Sequence, residues 1–260
     1  MDIKRRYYEI LDARARDLAD LLAGDPQTSV TALLLDEIGA FYKTAKTEKA
    51  LFGSEGFEVA YHAPVTPDLE LLLARILLHY SDRKSLGWKI YLRRQTKQMV
   101  DGKAAVIAPD IRVEKDGRTL AIAEVKAKVG WMQPFFSSDR VARDLERRRA
   151  GKSDFDPEAD IAACRRQIQK YALGFNIEKE QVFMFIPTLS AAHRKKSART
   201  AADYEADFVK NSHLGSENLI LLSRNLELDL AREYTADDLH PTNRFERFVK
   251  KVEAIGKQTS

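Results

Sequence analysis

Apolar residues near the start of the chain recur at helical spacing. Tyr7, Ile10, Leu11, Leu18 and Leu21 predict a helix over residues 3–23, stopped by Gly24. Leu33, Leu34, Ile38, Phe41 and Leu51 predict one or two more helices over 29–52, ending at Gly53. Thr66-Pro67-Asp68 then reads as a helix start, with Thr66 as N-cap, Pro67 at the first helical position and Asp68 at the positive end of the dipole. Leu69, Leu72, Leu73, Ile76, Leu77 and Tyr80 make one stripe along that helix, which ends before Gly87.

The period then shortens to that of strands. Residues 88–94, 104–114 and 119–129 each predict a strand. Lys115-Asp116-Gly117 joins the last two as a hairpin. An irregular basic stretch covers 130–157. A helix over 158–175 buries Ile161, Cys164, Ile168, Tyr171 and Phe175. Residues 181–186 form a buried strand, 219–222 another, and 243–255 a last helix. The order is that of an α/β protein with a helical N-terminal extension (1–60), a core (61–230) and a C-terminal tail with a helix (231–260).

Composition narrows the class. With 44% hydrophobic and 32% charged residues and only 12 Gly and 8 Pro, the 260-residue chain is neither low-complexity nor disordered. The single cysteine excludes a disulfide framework and a cysteine-rich zinc site, and Cys164 reads as packing. The five histidines show no zinc-ligand spacing, and no glycine-rich phosphate loop is present. No apolar run approaches a bilayer span, and the first residues lack a signal-peptide core. These features predict a soluble, cytoplasmic protein with no membrane partner.

The net charge is +4, but it is unevenly placed. Arg140, Arg143, Arg147, Arg148, Arg149 and Lys152 outweigh Asp144 and Glu146 to leave +4 in one arm. Arg194, Lys195, Lys196 and Arg199 add another +4. The remainder of the chain therefore carries −4. Two basic arms on a slightly acidic body suit local contact with phosphates, and equally suit solvated surface.

Carboxylates inside apolar strands demand a reason, because a buried charge is costly unless paired or metal-bound. Glu124 interrupts an otherwise apolar run, and strand alternation puts Glu124, Lys126 and Lys128 on one face. Asp110 lies on the preceding strand. A regular two-residue turn at Asp116-Gly117 puts it on the wrong face. A three-residue loop at Lys115-Asp116-Gly117, or a bulge of the same effect, puts it opposite Ile122 and diagonal to Glu124 on the same face. That loop or bulge is expected, with the two carboxylates sharing one metal. The bland alternative is a structural Asp–Lys–Glu cluster in the sheet.

Pro109-Asp110 followed by Glu124-Val125-Lys126 resembles the motif of the PD-(D/E)xK phosphodiesterase superfamily, which includes many restriction endonucleases. The likeness covers roughly 66–187 and matches the superfamily's core order of helix, three strands, helix and strand. It implies a restriction-endonuclease-like core, a central mixed β-sheet flanked by helices. It also implies a magnesium-dependent endonuclease acting on double-stranded DNA, with manganese as a substitute metal. Asp110 and Glu124 bind the metal with the Val125 carbonyl, and Lys126 activates or orients water. Glu70, on the preceding helix, completes the site in that comparison, with Glu37 a weaker alternative; Glu70 also suits an ordinary first-turn acid. Gln167-x-x-x-Tyr171 resembles a substrate-holding motif of RecB-type nucleases, and Tyr171 fits the core stripe as well. Lys128 either touches the scissile strand or ends an exposed strand. Trp131, Phe135 and Phe136 fit a nucleic-acid groove or a core. The activity expected is a type II restriction-type enzyme, possible as a homodimer. The alternatives are a RecB-like or phage-defence nuclease of low specificity and a catalytically silent DNA-binding module.

Overall fold

The computed structural model describes residues 3–24, 29–53, 65–126, 135–136, 146, 150, 156–190, 198–230 and 232–258. Lys128, Trp131, Arg140, Arg143, Arg147, Arg148, Arg149, Arg194, Lys195 and Lys196 lie outside the described residues. The elements are α1 (Ile3–Ala23), α2 (Val30–Gly53), α3 (Val65–Arg83), β1 (Lys89–Leu92), β2 (Thr96–Val100), β3 (Lys103–Ile107), β4 (Ile111–Lys115), β5 (Arg118–Val125), α4 (Pro157–Phe175), β6 (Val182–Ile186), α5 (Ala201–Ser212), β7 (Leu219–Leu221) and α6 (Arg244–Gln258). None of the described helices is long and apolar enough to cross a membrane.

The protein is α/β. Five strands form a mixed sheet in the order β1-β4-β5-β6-β7, and β2-β3 form a separate ribbon. β1, β4 and β5 pair antiparallel, and β5, β6 and β7 pair parallel. Alternation sorts the side chains into two cores. Ala121, Ala123, Val125, Phe183, Phe185 and Ile220 pack with α1, α2, α3 and α6. Ile122, Val182, Met184, Ile186, Leu219 and Leu221 pack with α4 and α5. The helical N-terminal part shares the first core with the sheet. Thr31 of α2 also bonds Glu246 of α6, its N–H at 2.9 Å and its hydroxyl at 2.5 Å.

Three expectations are corrected. The strand expected over 104–114 is broken at Ala108-Pro109-Asp110, and its first half pairs with β2, a strand the sequence reading lacked. Proline has no N–H to give a ladder, so the break falls there. The hairpin closes on two residues, not three: Lys115 faces Arg118, and Asp116 and Gly117 have φ of 50° and 79°. Two left-handed residues make the turn that suits strand twist, and glycine takes the second at little cost. The shared face comes from a bulge, and in another register than the expected one, in which Asp110 would face Ile122. Val113 faces Ala121 while Glu114 faces Thr119, so Leu120 is the extra residue. Beyond it Ile111 faces Ala123, a register that brings Asp110 level with Glu124. The third correction is α5, which was not expected; Thr200 and Asp203 close a capping box at its start.

The interior reading of the α4 stripe holds. Ile161, Cys164, Ile168, Tyr171 and Phe175 are buried, and burial pushes the Cys164 thiol up to about 11, out of reactive range. Phe135 and Phe136 are fully buried against Phe208, with ring centroids 6.0 and 5.5 Å away. They are core residues and not groove aromatics. Arg199, counted with the second basic arm, bonds Asp207 at 2.5 Å and lies over the Tyr204 ring at 4.2 Å. Its charge is committed to holding α5.

Candidate active site

The site lies where β5 ends. Asp110 stands just before β4, an inner strand of the sheet, and Glu124, Val125 and Lys126 end and follow β5. Asp110 Oδ2 accepts the Val125 N–H at 2.9 Å, which locks the carboxylate across the hairpin. The Lys126 ammonium sits among three oxygens: Asp110 Oδ2 at 2.9 Å, Glu124 Oε2 at 3.2 Å and the Val125 carbonyl at 3.1 Å. Glu124 is buried, and Asp110 and Lys126 are largely covered. An ammonium thus occupies the point on which two carboxylates and one backbone carbonyl converge. That donor set suits magnesium, which takes one or two carboxylates and leaves its other positions to water and phosphate. Among the described residues, no group of three or more His, Cys, Asp or Glu side chains gathers for a metal. The fit therefore rests on these three oxygens.

Glu124 is gripped from the opposite side. Tyr171 of α4 donates its hydroxyl to Glu124 Oε1, and Gln167 hydrogen-bonds Tyr171. The i,i+4 pair does share a helix face, as its spacing requires. Tyr171 is buried, so it orients the carboxylate and presents no surface to a substrate. Burial, then the nearby Asp110 charge, raises the Glu124 carboxyl above its ordinary value, against the pull of Lys126 and Tyr171. Burial disfavours the Lys126 charge, yet Glu124 and Asp110 together hold its ammonium above the usual lysine range. Burial, followed by Glu124, raises the Tyr171 hydroxyl.

Glu70 is brought to the edge of this cluster but is already engaged. It is buried, and both its oxygens accept from Arg93, the Nη2 bond at 2.6 Å and the Nε bond shorter. Burial raises its carboxyl, Arg93 draws it back in part, and the Asp110 charge adds to the rise. Glu70 is therefore an ion-pair partner in this arrangement and does not join the three converging oxygens. Glu37 is farther from any such role, sitting 3.5 Å from Arg14 on the helical side.

Arg93 is the residue that sequence reasoning missed. Its backbone is left-handed, with φ of 46°, and its N–H bonds the Asp110 carbonyl at 3.0 Å. A non-glycine residue resists that conformation by about 1–2 kcal/mol, so the contacts must over-determine it. One residue thus fixes both the backbone of Asp110 and the charge of Glu70. Arg93→Ala leaves Glu70 buried without that guanidinium. Breaking a buried pair costs about 3–5 kcal/mol, and the half-exposed Arg93 side chain reduces this to about 2–3 kcal/mol. Urea unfolding measures the loss, and adding Glu70→Gln should recover part of it. A loss below about 0.5 kcal/mol would contradict the coupling.

The raised carboxyls of Glu70 and Glu124 set a pH dependence. Stability from a raised carboxyl is full below the ordinary glutamate range and is lost as pH rises through its higher folded value. Magnesium needs the ionised form. Magnesium should therefore raise Tm more at about pH 8 than at about pH 5, as read by thermal unfolding with and without the ion. Equal shifts at both pH values would contradict the assignment.

No known protein family, curated protein or solved structure matches this chain.

Proposed function

We propose that the protein is a magnesium-dependent deoxyribonuclease with a restriction-endonuclease-like core. The observation that carries the reading is the convergence of Asp110 Oδ2, Glu124 Oε2 and the Val125 carbonyl on the Lys126 ammonium. Asp110, Glu124 and Val125 would hold the ion. Magnesium bound there would polarise a phosphate oxygen and lower the pKa of a water. Lys126 orients that water and steadies the charge growing on the phosphate oxygens. Tyr171 fixes Glu124, and the Val125 N–H fixes Asp110, so neither carboxylate must reorganise during reaction. The five-stranded mixed sheet supports the resemblance, since its antiparallel hairpin carries Glu124 with Asp110 just before it, and a parallel strand follows.

A second reading within the same chemistry is a RecB-like nuclease of low sequence specificity, supported by the Gln167-x-x-x-Tyr171 spacing beside Glu124, with the buried Tyr171 holding that carboxylate rather than substrate. Cleavage of circular and linear duplex DNA tests both. Discrete fragments in magnesium indicate a site-specific endonuclease, and smears a low-specificity one. Absence of cleavage in magnesium and manganese, on DNA and on RNA, would overturn the proposal in favour of a binding module.

A further inference from the structure

The β2–β3 ribbon leads straight into the candidate site, only Ala108 and Pro109 separating Ile107 from Asp110. Its two faces differ. Thr96, Gln98, Val100, Ala105 and Ile107 form the covered face, against α4. Gly174 of α4 lets the ribbon approach closely: a Cβ there would meet Ile107 Cδ1 at 2.2 Å. Lys170 of α4 donates to the Val106 carbonyl at 3.1 Å. The helix that clamps the ribbon is the one whose Tyr171 holds Glu124, so ribbon and site share one support.

The other face is open. Lys97 stands opposite Val106, and Met99 opposite Ala104, all four exposed. Met99 is 62% and Val106 52% exposed. Lys97 is an exposed base on it and Arg94 an exposed base just before β2, while Lys103, paired with Val100, belongs to the other face, and one acid, Asp101, stands at the tip. An apolar strip with a basic border, continuous with a phosphodiester site, has the chemistry of a DNA groove. Phosphates take the border, and base edges take the strip. The major groove of B-form DNA admits a two-stranded ribbon and exposes thymine methyl groups to apolar side chains. The major groove of an A-form RNA helix is too narrow for it.

We propose that the outer face of the β2–β3 ribbon enters the major groove of B-form DNA, with Met99, Ala104 and Val106 against thymine methyls and Arg94 and Lys97 on the flanking phosphates. This rests on the nuclease reading above and adds the element that engages the bases. It predicts a preference for thymine over uracil that phosphate contacts cannot supply.

Fluorescence anisotropy tests it, at fixed salt and with calcium in place of magnesium. The probes are a pool of labelled random-sequence duplexes made with thymine, the same pool made with deoxyuridine, and a duplex RNA. The wild type should bind the uracil pool about threefold more weakly per methyl contacted, and the duplex RNA more weakly still. Met99→Ser combined with Val106→Ser should abolish the thymine–uracil difference while Tm is kept, both positions being exposed. Arg94→Ala with Lys97→Ala should weaken both pools alike and flatten the salt dependence. Equal binding of the two pools by the wild type, or an unchanged preference in the serine variant, overturns the ribbon proposal and leaves the nuclease reading standing if magnesium-dependent cleavage persists. Failure to bind or cleave any duplex overturns both.

Discussion

If the proposed nuclease function holds, Asp110→Asn should lower magnesium-dependent cleavage by about 10³-fold or more, the effect of losing several kcal/mol of cation-borne stabilisation at the reacting phosphate. The substitution keeps the shape of the side chain. An amide oxygen can still accept the Val125 N–H, so the hairpin contact survives. What is lost is one of the two negative charges that face the Lys126 ammonium. The metal-free variant should be no less stable than the wild type, because Asp110 is the second contributor, after burial, to the raised Glu124 carboxyl. Initial rates on plasmid DNA and a thermal melt separate the two effects. A rate within tenfold of wild type would remove Asp110 from the metal site.

Lys126→Ala has two consequences of opposite sign. Cleavage should fall by about 10²–10⁴-fold, the usual worth of a positioned proton-transfer or charge-stabilising group. Without metal, Asp110 and Glu124 are left facing each other with the ammonium gone, and Glu124 is buried. Removing one partner of such a buried arrangement costs about 3–5 kcal/mol. Magnesium should restore much of that stability, and it should bind the variant more tightly than the wild type, since no ammonium competes for the three oxygens. A calorimetric titration and a melt with added magnesium read both. Weaker magnesium binding in Lys126→Ala would contradict an ammonium seated at the cation position.

The carboxylates were legible in the sequence because a charge within an apolar strand run needs a partner. Glu124 stands between Ala123 and Val125, and that break points to a site. Their common face was legible only as a condition. The bulge puts Leu120 against Gly256 of α6, a contact far along the chain that a local pattern does not contain. β2 carries alternation at Thr96, Gln98 and Val100 and an Asp101-Gly102 turn, signals of the kind used for the neighbouring hairpin. α5 carries Thr200 and Asp203 at capping-box spacing before Tyr204 and Phe208, so it too could have been found. Arg93 could not. Arg93 and Arg94 are adjacent bases after a strand, and only the fold shows that the first turns onto Glu70 while the second lies over the Tyr91 ring.

The central claim is that Asp110, Glu124 and the Val125 carbonyl hold one divalent cation. A manganese-soaked crystal with a non-hydrolysable duplex tests it through the anomalous signal of the metal. The account predicts one manganese peak bonded to Asp110, Glu124 and the Val125 carbonyl at about 2.0–2.2 Å, with the Lys126 ammonium moved out of the ring. No peak at those oxygens beside bound DNA, with Lys126 still seated between the carboxylates, would contradict it.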